Sequence, residues 1–407
     1  MKKNGRPLVA LDLGNSHVTA LIAELDERDR VQLLGAGRAE SKGFRKSIPV
    51  NLDAAVEATR RAIEGAEQTA GVEVDRAVIG VAGSHIRSFN SRGGTSLGVR
   101  SREVAVEDVH RAIEAARSVR LPPEQQLLHV LPQEYLLDNE TGIREPLGLL
   151  GKRLEVNVHL VTAGITPTQN LVSVANRTGL VVEDTVLSSL AAAEACLMPD
   201  EKEMGVLLVD IGGGSTNWIV FAGRAPRESG VVPVGGEHFT NDIGVGLRCP
   251  LWEAERIKRA YGCAAMRWAG QDTLFEVQSL GERPARVSSK RALCEIIEPR
   301  AEELVGLLKY GLEHAGYTEL PSAGVVLTGG GAQLDGILEL LSHIFQVPVR
   351  LGLPQGIHGS NGVLASPACA TAAGLLLHAG RVRRAQSLRQ NGWWRKVKRV
   401  FGSGQGR

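Results

Sequence analysis

Residues 8–25 read LVALDLGNSHVTALIAEL, and residues 206–223 read VLLVDIGGGSTNWIVFAG. In each segment an apolar run ends in an aspartate, and a glycine-containing turn with hydroxyl or amide side chains leads into a second β-rich run. Runs this short and this rich in β-branched residues favour strands over helices, and the turns between them are typical of hairpins. The similarity of the two segments predicts an α/β protein with a duplicated domain.

The chemistry of both turns suits phosphate binding. Glycine allows backbone N–H groups to approach a phosphate closely, and the hydroxyl and amide side chains add donors. Asp12 and Asp210, at the ends of the first runs, can hold Mg²⁺ through water. Two such turns facing each other would clamp a polyphosphate, whereas a pair of ordinary glycine hairpins is the alternative.

A third glycine-rich turn lies in VVLTGGGAQLDG, residues 325–336, between a buried-looking strand and a helical pattern. Its backbone could approach a nucleotide beside a helix N-terminus. It has neither the lysine of a P-loop nor the spacing of a dinucleotide-binding GxGxxG turn. Ahead of it, Glu255 and Lys258 lie three residues apart on one predicted helix face, where a solvent-exposed ion pair is the alternative reading.

The two phosphate-type turns, the E-x-x-K helix and the TGGGA turn, in this order, resemble the actin-like ATPase superfamily. Within it, the chain resembles the FtsA family of bacterial cell-division proteins in stretches spread over nearly its whole length. They are HVLPQEY (129–135), GIREPLGLLG (142–151), GGEHFTND (235–242), EIIEPR (295–300) and WWRKVKRVF (393–401). The resemblance implies an actin-like ATPase fold with two duplicated ribonuclease-H-like halves, an inserted α+β subdomain and a C-terminal amphipathic helix.

The same resemblance implies the domain organisation. Residues 1–83 and 162–203 would form the first ATPase half, with 365–380 returning to it. Residues 84–161 would form the inserted subdomain, used for self-association and for contacts with later division proteins. The second half would have its core in 204–245 and 320–364 and a subdomain in 246–319. The last three segments are expected to be a linker (381–391), a membrane-targeting helix (392–402) and a disordered end (403–407).

The cofactors implied by the resemblance are ATP and Mg²⁺. Asp12 and Asp210 would hold the metal, through water. The nucleotide-binding residues implied are Asp12, Gly14, Asn15, Ser16, Asp210, Gly212, Gly213, Gly214, Ser215, Gly236, Glu255, Lys258, Gly329, Gly330 and Gly331.

Two departures from the superfamily pattern predict at most slow ATP hydrolysis. In the segment LSSLAAAEACLMP (187–199), Ser188 takes the place of the carboxylate that positions the attacking water in the chaperone ATPases, and Glu194 is expected to face elsewhere. Asn217 stands where many relatives carry aspartate. Hydrolysis depends on orienting water and stabilising charge, so nucleotide binding is expected without fast catalysis, and the catalytic residues stay unassigned.

Basic side chains cluster in RPARVSSKRALCEIIEPR, residues 283–300. A solvated helix face is the alternative reading of such a cluster. The resemblance implies instead that this region receives the acidic C-terminal peptide of FtsZ, the tubulin-like division protein, through Arg286, Lys290, Arg291 and Arg300. Basic side chains beside an apolar groove suit an acidic peptide.

The end of the chain is strongly basic. Residues 381–407 hold nine Lys or Arg and no Asp or Glu, while the remainder holds 38 basic against 45 acidic residues. On a helical wheel, the apolar side chains of Trp393, Trp394, Val397, Val400 and Phe401 fall on one face, and those of Arg395, Lys396, Lys398 and Arg399 fall on the other. This pattern is typical of an interfacial helix on an anionic membrane. A nucleic-acid tail needs no apolar face and is disfavoured; a docked helix is the other alternative.

The sequence also predicts where the protein works. No run approaches the ~18–20 apolar residues that cross a bilayer, the N-terminal apolar run is broken by Asp12, and five scattered cysteines suit a reducing compartment. With the resemblance, these features predict a peripheral protein on the cytoplasmic face of the inner membrane at the division septum. There it would tether filaments of FtsZ, the Z ring. An actin-fold small-molecule kinase is the alternative function.

Overall fold

The computed structural model describes residues 6–281, 284–359 and 362–401, with the backbone alone from 388 onward. The strands, in chain order, are β1 (Leu8–Leu13), β2 (His17–Leu25), β3 (Val31–Glu40), β4 (Phe44–Arg45), β5 (Ile48–Pro49), β6 (Arg76–Val81), β7 (Arg87–Ser96), β8 (Arg102–Glu103), β9 (Gln125–Leu137), β10 (Glu140–Ile143), β11 (Leu150–Gly151), β12 (Arg153–Gly164), β13 (Val181–Leu187), β14 (Val206–Ile211), β15 (Thr216–Ala222), β16 (Ala225–Val232), β17 (Leu274–Val277), β18 (Arg286–Ser289), β19 (Val325–Thr328), β20 (Val349–Leu351) and β21 (Ile357–His358). The α-helices are α1 (Leu52–Ala70), α2 (Val106–Arg117), α3 (Ile165–Arg177), α4 (Ser188–Cys196), α5 (Pro199–Met204), α6 (Gly236–Gly246), α7 (Leu251–Tyr261), α8 (Lys290–His314), α9 (Ile337–Phe345) and α10 (Ala370–Phe401).

Two sheets share one strand order. In the first half the order is β13-β6-β1-β2-β3-β21. Read in the same direction, the order in the second half is β20-β19-β14-β15-β16. In both, the first three strands in sequence (β1 to β3, β14 to β16) form an antiparallel meander, and two further strands add in parallel beside the first strand of that meander. The predicted hairpins and the predicted duplication are therefore confirmed strand for strand, with β21 as an extra edge strand of the first sheet.

The chain returns to the first half near its C-terminal end. The first turns of α10 pack in one apolar core with β1 and α4, where Ala373, Leu375 and Leu376 are fully buried. Gly374 allows this approach, because a Cβ there would overlap the carbonyl oxygen of Ala191 in α4. The two helices cross at backbone contact, and no larger residue fits at the crossing point.

The inserted subdomain lies between β6 and α3. It has a sheet of order β10-β9-β12-β7, and α2 packs on that sheet over Leu154, Val156, Val158 and Leu160, which are fully buried. The inserted α+β subdomain expected from the sequence is thus confirmed. The other side of this subdomain contacts the second half, where the Ser88 hydroxyl donates to the Ser229 carbonyl of β16 at 2.6 Å.

The C-terminal helix α10 is continuous to Phe401. Its backbone covers residues 381–391, the expected linker, so that segment is helical, and the helix predicted from 392 is an extension of α10. Residues 402–407, including the expected disordered end, lie outside the described residues. Within the described part, no helix is both long and apolar enough to cross a membrane.

Candidate functional site

A cavity of about 450 Å³ opens between the two halves. This volume lies within the range of small-molecule sites, roughly 300–1,000 Å³. All fifteen residues assigned to nucleotide binding from the sequence line it, from all three glycine-rich turns, from the start of α6 and from α7. The structure brings these residues together; their role in binding a nucleotide stays a prediction.

The first turn joins β1 to β2 and reaches across to the second half. Asn15 is 6% exposed, and its Oδ1 accepts a hydrogen bond from the Ser47 amide at 2.6 Å. Its Nδ2 donates to Glu237 Oε2 in α6 at 3.2 Å. Asn15 therefore connects the halves at the phosphate-type turns.

The second turn joins β14 to β15 and is held by the start of α6. The Gly212 amide donates to the Ser215 carbonyl at 3.0 Å, closing the turn. The amides of Gly236 and Glu237 donate to the carbonyls of Gly212 and Gly213 at 2.9 and 2.8 Å. These bonds fix the carbonyl groups of the turn on α6, which preorganises the loop for an anion on its amide side.

Asp12 and Asp210 lie at the ends of the two central strands. Burial, reinforced by the nearby charge of Asp210, raises the pKa of Asp12 to about 7. Burial raises the pKa of Asp210 to about 6, although the Thr371 hydroxyl donates to its Oδ2 at 3.2 Å. Two neighbouring carboxylates that repel each other are stabilised in their ionised form by a nearby cation.

This donor set fits Mg²⁺. The described residues contain no group of three or more His, Cys, Asp or Glu side chains arranged to hold a metal. Mg²⁺ does not require one, because it commonly uses one or two carboxylates and keeps several waters. Asp12 and Asp210 supply two such carboxylates.

Glu255 and Lys258 on α7 form a partly buried network rather than a solvent-exposed pair. Lys258 Nζ lies 2.6 Å from Glu255 Oε2, and the lysine side chain is 15% exposed. Lys258 also donates to the Gly236 carbonyl at 2.9 Å and to the Thr240 hydroxyl at 2.8 Å. Burial raises the pKa of Glu255, but Lys258, Thr240 and Arg259 outweigh that effect and lower it to about 2. The pair is ionised and fixed in position at neutral pH.

The third turn follows β19 and packs against the end of β14. Gly329 has φ 86°, and a Cβ there would overlap Asp210 Oδ1, so glycine is required on both counts. A short 3-10 helix, Gly330–Gln333, intervenes before α9, which begins only at Ile337. The helix terminus nearest the cavity is therefore that of the 3-10 turn.

Several lining residues were not predicted from the sequence. They are His17, Thr19, Arg38, Arg259, Ser366 and Thr371. Thr371 lies at the start of α10, far along the chain from Asp210, and no local motif marks it. Arg38 could have been found by extending the register of the first hairpin to the third strand, because it pairs with Thr19.

The two departures from the superfamily pattern lie at the cavity. Ser188, the first residue of α4, is 5% exposed and lines the cavity, so α4 presents a hydroxyl there. Glu194 points away and pairs with Arg381 at 3.4 Å. Asn217 also lines the cavity, and its buried Oδ1 accepts no hydrogen bond from any residue that the structure describes.

The four predicted peptide-binding residues lie on β18 and α8. Arg286 donates to the Leu247 carbonyl, and Arg291 pairs with Glu295 at 3.7 Å with its side chain 70% exposed. Arg300 is 27% exposed and pairs with Asp242 of α6 at 2.6 Å. Arg300 thus fixes α8 to α6, while Arg291 is open to a partner. Exposed apolar side chains on α6, α7, β17 and β18 are those of Val245, Leu251, Trp252, Leu274 and Val287.

The predicted membrane-binding residues lie on the last turns of α10. The structure describes their backbone as helical. Their side chains lie outside its described part, so the segregation of apolar and basic faces stays a prediction.

Comparisons with known proteins agree with this architecture. A family model described as "Cell division protein FtsA" matches residues 207–374, and one described as "SHS2 domain inserted in FTSA" matches residues 83–162. The cell division protein FtsA of Pseudomonas aeruginosa is 43% identical over 92% of this chain and 90% of its own length. That of Escherichia coli K12 is 36% identical over 92% and 90%.

Solved structures with low sequence identity share the fold. A chain of the PilM–PilN type IV pilus biogenesis complex aligns with a TM-score of 0.66 at 19% identity, covering 92% of this chain and 98% of its own. MreB5 of Spiroplasma citri bound to ADP aligns with a TM-score of 0.56 at 15% identity, covering 94% and 98%. The predicted actin-like fold with an inserted subdomain is confirmed.

Proposed function

The chain belongs to the FtsA family of bacterial cell-division proteins, and from this premise we propose that it is an ATP-binding tether. It binds ATP with Mg²⁺ in the cleft, self-assembles in an actin-like manner and links FtsZ filaments to the cytoplasmic face of the inner membrane at the division septum.

The observation that carries the proposal is the cavity between the duplicated halves. Two glycine turns reach it from opposite sides, and the third turn and α7 close its remaining wall. A polyphosphate between the first two turns would receive backbone N–H donors from both halves. A nucleoside would then lie against Lys258, Glu255 and the third turn. The solved relative MreB5 was crystallised with ADP, which supports a nucleotide as the occupant.

Mg²⁺ accompanies the nucleotide in this proposal. Asp12 and Asp210 hold it, directly or through water, and it neutralises charge on both the carboxylates and the phosphates. Turnover is slow, because α4 presents Ser188 where a water-positioning carboxylate would be needed and Asn217 cannot act as a base.

Three surfaces outside the cavity bind the partners in this proposal. An acidic FtsZ peptide binds beside β18 and the start of α8, which carry Arg286, Lys290 and Arg291. Exposed apolar side chains of the paired strands β17 and β18, Leu274 and Val287, lie on the same segment. Arg300 contributes by holding α8 in place. The inserted subdomain serves self-association and contacts with later division proteins. The end of α10 binds the membrane through its predicted apolar face.

Nucleotide binding tests the role of the cavity. The full chain should bind MgATP in isothermal titration calorimetry. Lys258→Ala should weaken binding about tenfold or more, because it removes a buried charge and frees Glu255. Lys309→Ala on α8, which removes a half-exposed lysine 4.0 Å from Glu313, is the control and should bind like the wild type. Failure of the wild-type chain to bind MgATP would contradict the proposal.

Sedimentation with anionic liposomes tests the membrane role. The full chain should pellet with the vesicles, and a chain ending at Arg389 should stay in solution. ATP should increase pelleting if assembly on the membrane depends on nucleotide. The double variant Trp393→Ala, Trp394→Ala keeps every basic residue and should lose most vesicle binding. Undiminished binding by that variant would indicate a purely electrostatic, nucleic-acid-like tail.

A further inference from the structure

Positive charge in the cavity is distributed unevenly. Three cationic side chains line it: Arg38 from the first half, and Lys258 and Arg259 from α7. Lys258 and Arg259 are both paired with Glu255, at 2.6 and 2.7 Å. Arg38 is exposed and makes no side-chain hydrogen bond or ion pair with any residue that the structure describes. Arg38 is thus a cation at the cavity wall without a bonded partner among the described residues, although its charge lowers the pKa of nearby Asp12 in opposition to burial.

The strand register places Arg38 in the same cross-strand row as Asp12, which precedes the first phosphate-type turn. Asp12 of β1 pairs with Thr19 of β2, and Thr19 pairs with Arg38 of β3. Directly opposed residues of neighbouring strands project from the same face of a sheet. At about 4.8 Å per strand, the Cα atoms of Arg38 and Asp12 are roughly 10 Å apart. All three side chains line the cavity, so a group lying over Thr19 would be within reach of the guanidinium.

The corresponding row in the second half carries no charge beyond its aspartate. There Asp210 pairs with Asn217, and Asn217 pairs with Val231, which packs against an apolar core. The duplicated architecture therefore does not require a cation at this position. Arg38 is an addition specific to the first half.

No neighbour substitutes for Arg38. His17 is the first residue of β2, but burial, together with Arg38 and Arg259, lowers its pKa to about 4, so it is neutral at pH 7. Among the described first-half residues at the cavity, Arg38 is then the one permanent cation. A polyphosphate placed beside Asp12 and Asp210 adds negative charge to a site that already holds two carboxylates, and such a ligand requires compensation.

We propose that Arg38 binds the polyphosphate of the nucleotide from the first half and so determines the preference of the cleft for phosphorylated adenosine. This inference rests on the proposed nucleotide-binding function and assigns a specificity-determining residue to the same site. Guanidinium–phosphate hydrogen bonds are charge-assisted and commonly bidentate. Arg38 would contact ligand directly, whereas a residue that only balances the charge of Asp12 would not.

The test compares MgATP, MgADP and adenosine on the full chain by calorimetry. Arg38→Gln should weaken ATP and ADP binding about 10- to 100-fold, the effect of losing a charge-assisted contact, and should leave adenosine binding within about twofold. Arg38→Lys, which keeps the charge but loses the planar fork, should be intermediate. Arg28→Gln removes an exposed arginine from the β2–β3 turn, away from the cavity, and should behave as wild type.

Every other result of this calorimetry contradicts either the role of Arg38 or the proposed function. Wild-type ATP affinity in Arg38→Gln would exclude phosphate contact by Arg38 while leaving the proposed function intact. An equal loss for ATP and adenosine, with a lower unfolding temperature of the nucleotide-free variant, would make Arg38 a structural counter-charge for Asp12. If Arg38→Gln does not fold, the affinities of Arg38→Lys for ATP, ADP and adenosine are compared with those of the wild type instead. A wild-type chain that binds neither nucleotide refutes the proposed function and this inference with it.

Discussion

One buried histidine joins the inserted subdomain to the second half. His159 of β12 is fully buried, with its Nδ1 2.9 Å from Asn90 Oδ1 and its Nε2 2.9 Å from the Ser229 hydroxyl. Burial lowers the pKa of His159 to about 4. The contact between β12 and β16 is therefore made by a neutral imidazole.

Acid should weaken the fold through this residue. The unfolded histidine has a pKa of about 6.5, so between pH 6.5 and 4 the unfolded chain binds a proton that the folded chain excludes. The stabilisation is complete above pH 6.5 and is lost as pH falls towards 4, by about 3 kcal/mol. His129, also lowered to about 4 by burial, acts in the same direction. Glu228, Asp12 and Asp210, whose pKa values burial raises, oppose it, so the effect of His159 is read from the difference between variants.

Urea unfolding at pH 7.5 and pH 5 measures this effect. His159→Gln, which keeps hydrogen-bonding capacity but does not titrate, should reduce the drop in unfolding free energy between the two values. His110→Gln, at an exposed position on α2, is the matched control. An identical pH dependence in His159→Gln and the wild-type chain would show that this histidine is not protonated on unfolding.

At this scale the sequence predicted residues whose role is local. The fifteen cavity residues were found because the glycine-rich turns, their aspartates and the E-x-x-K pair are motifs that span only a few consecutive positions. Thr371, which donates to Asp210 from another element, carries no such signal, because its place depends on how α10 returns to the first half. Ser188 was placed at the cavity through the resemblance, by matching its segment to the superfamily pattern, and Glu194 was expected to face elsewhere.

At the scale of elements, α10 is the main difference between expectation and structure. Residues 381–391 (RVRRAQSLRQN) were expected to be a linker, and the structure shows them as helix. They contain neither glycine nor proline, and Arg, Ala, Gln and Leu are good helix formers. The preceding turns are anchored, with His378 2.9 Å from Asp184 and Arg381 3.4 Å from Glu194. An anchored helix needs no new nucleus and propagates through such residues.

A helical connection should transmit orientation to the membrane. Two alanines inserted after Gln386 would rotate the end of α10 by about 200° relative to the body, whereas four would rotate it by about 40° beyond a full turn and add about 6 Å. Both variants keep the whole predicted membrane segment and should pellet with liposomes. The two-residue insertion should recruit less FtsZ to the vesicles than the four-residue insertion. Equal recruitment would indicate that 381–391 behaves as a flexible tether.

At the scale of the whole molecule, repetition made the fold predictable. The repeated strand–turn segments predicted two similar halves, and the sheets repeat the same order. The packing of the inserted subdomain against β16 was not predictable from its own residues. That contact depends on isolated polar side chains such as Asn90, whose Nδ2 donates to the Arg227 carbonyl at 3.1 Å, and polar contacts of this kind leave no periodic pattern.

The contact at β16 changes how the body can move. The first half carries the inserted subdomain on its own chain, the subdomain is hydrogen-bonded to the second half at Ser229, and the halves meet again through Asn15 and Glu237. The two halves and the subdomain are therefore each connected to the other two, so that none of these connections can change its angle alone. A change in the angle of the cleft must be accompanied by a movement where the subdomain joins the first half or where it contacts β16. A ligand that changes the angle of the cleft would therefore also shift the far surface of the subdomain.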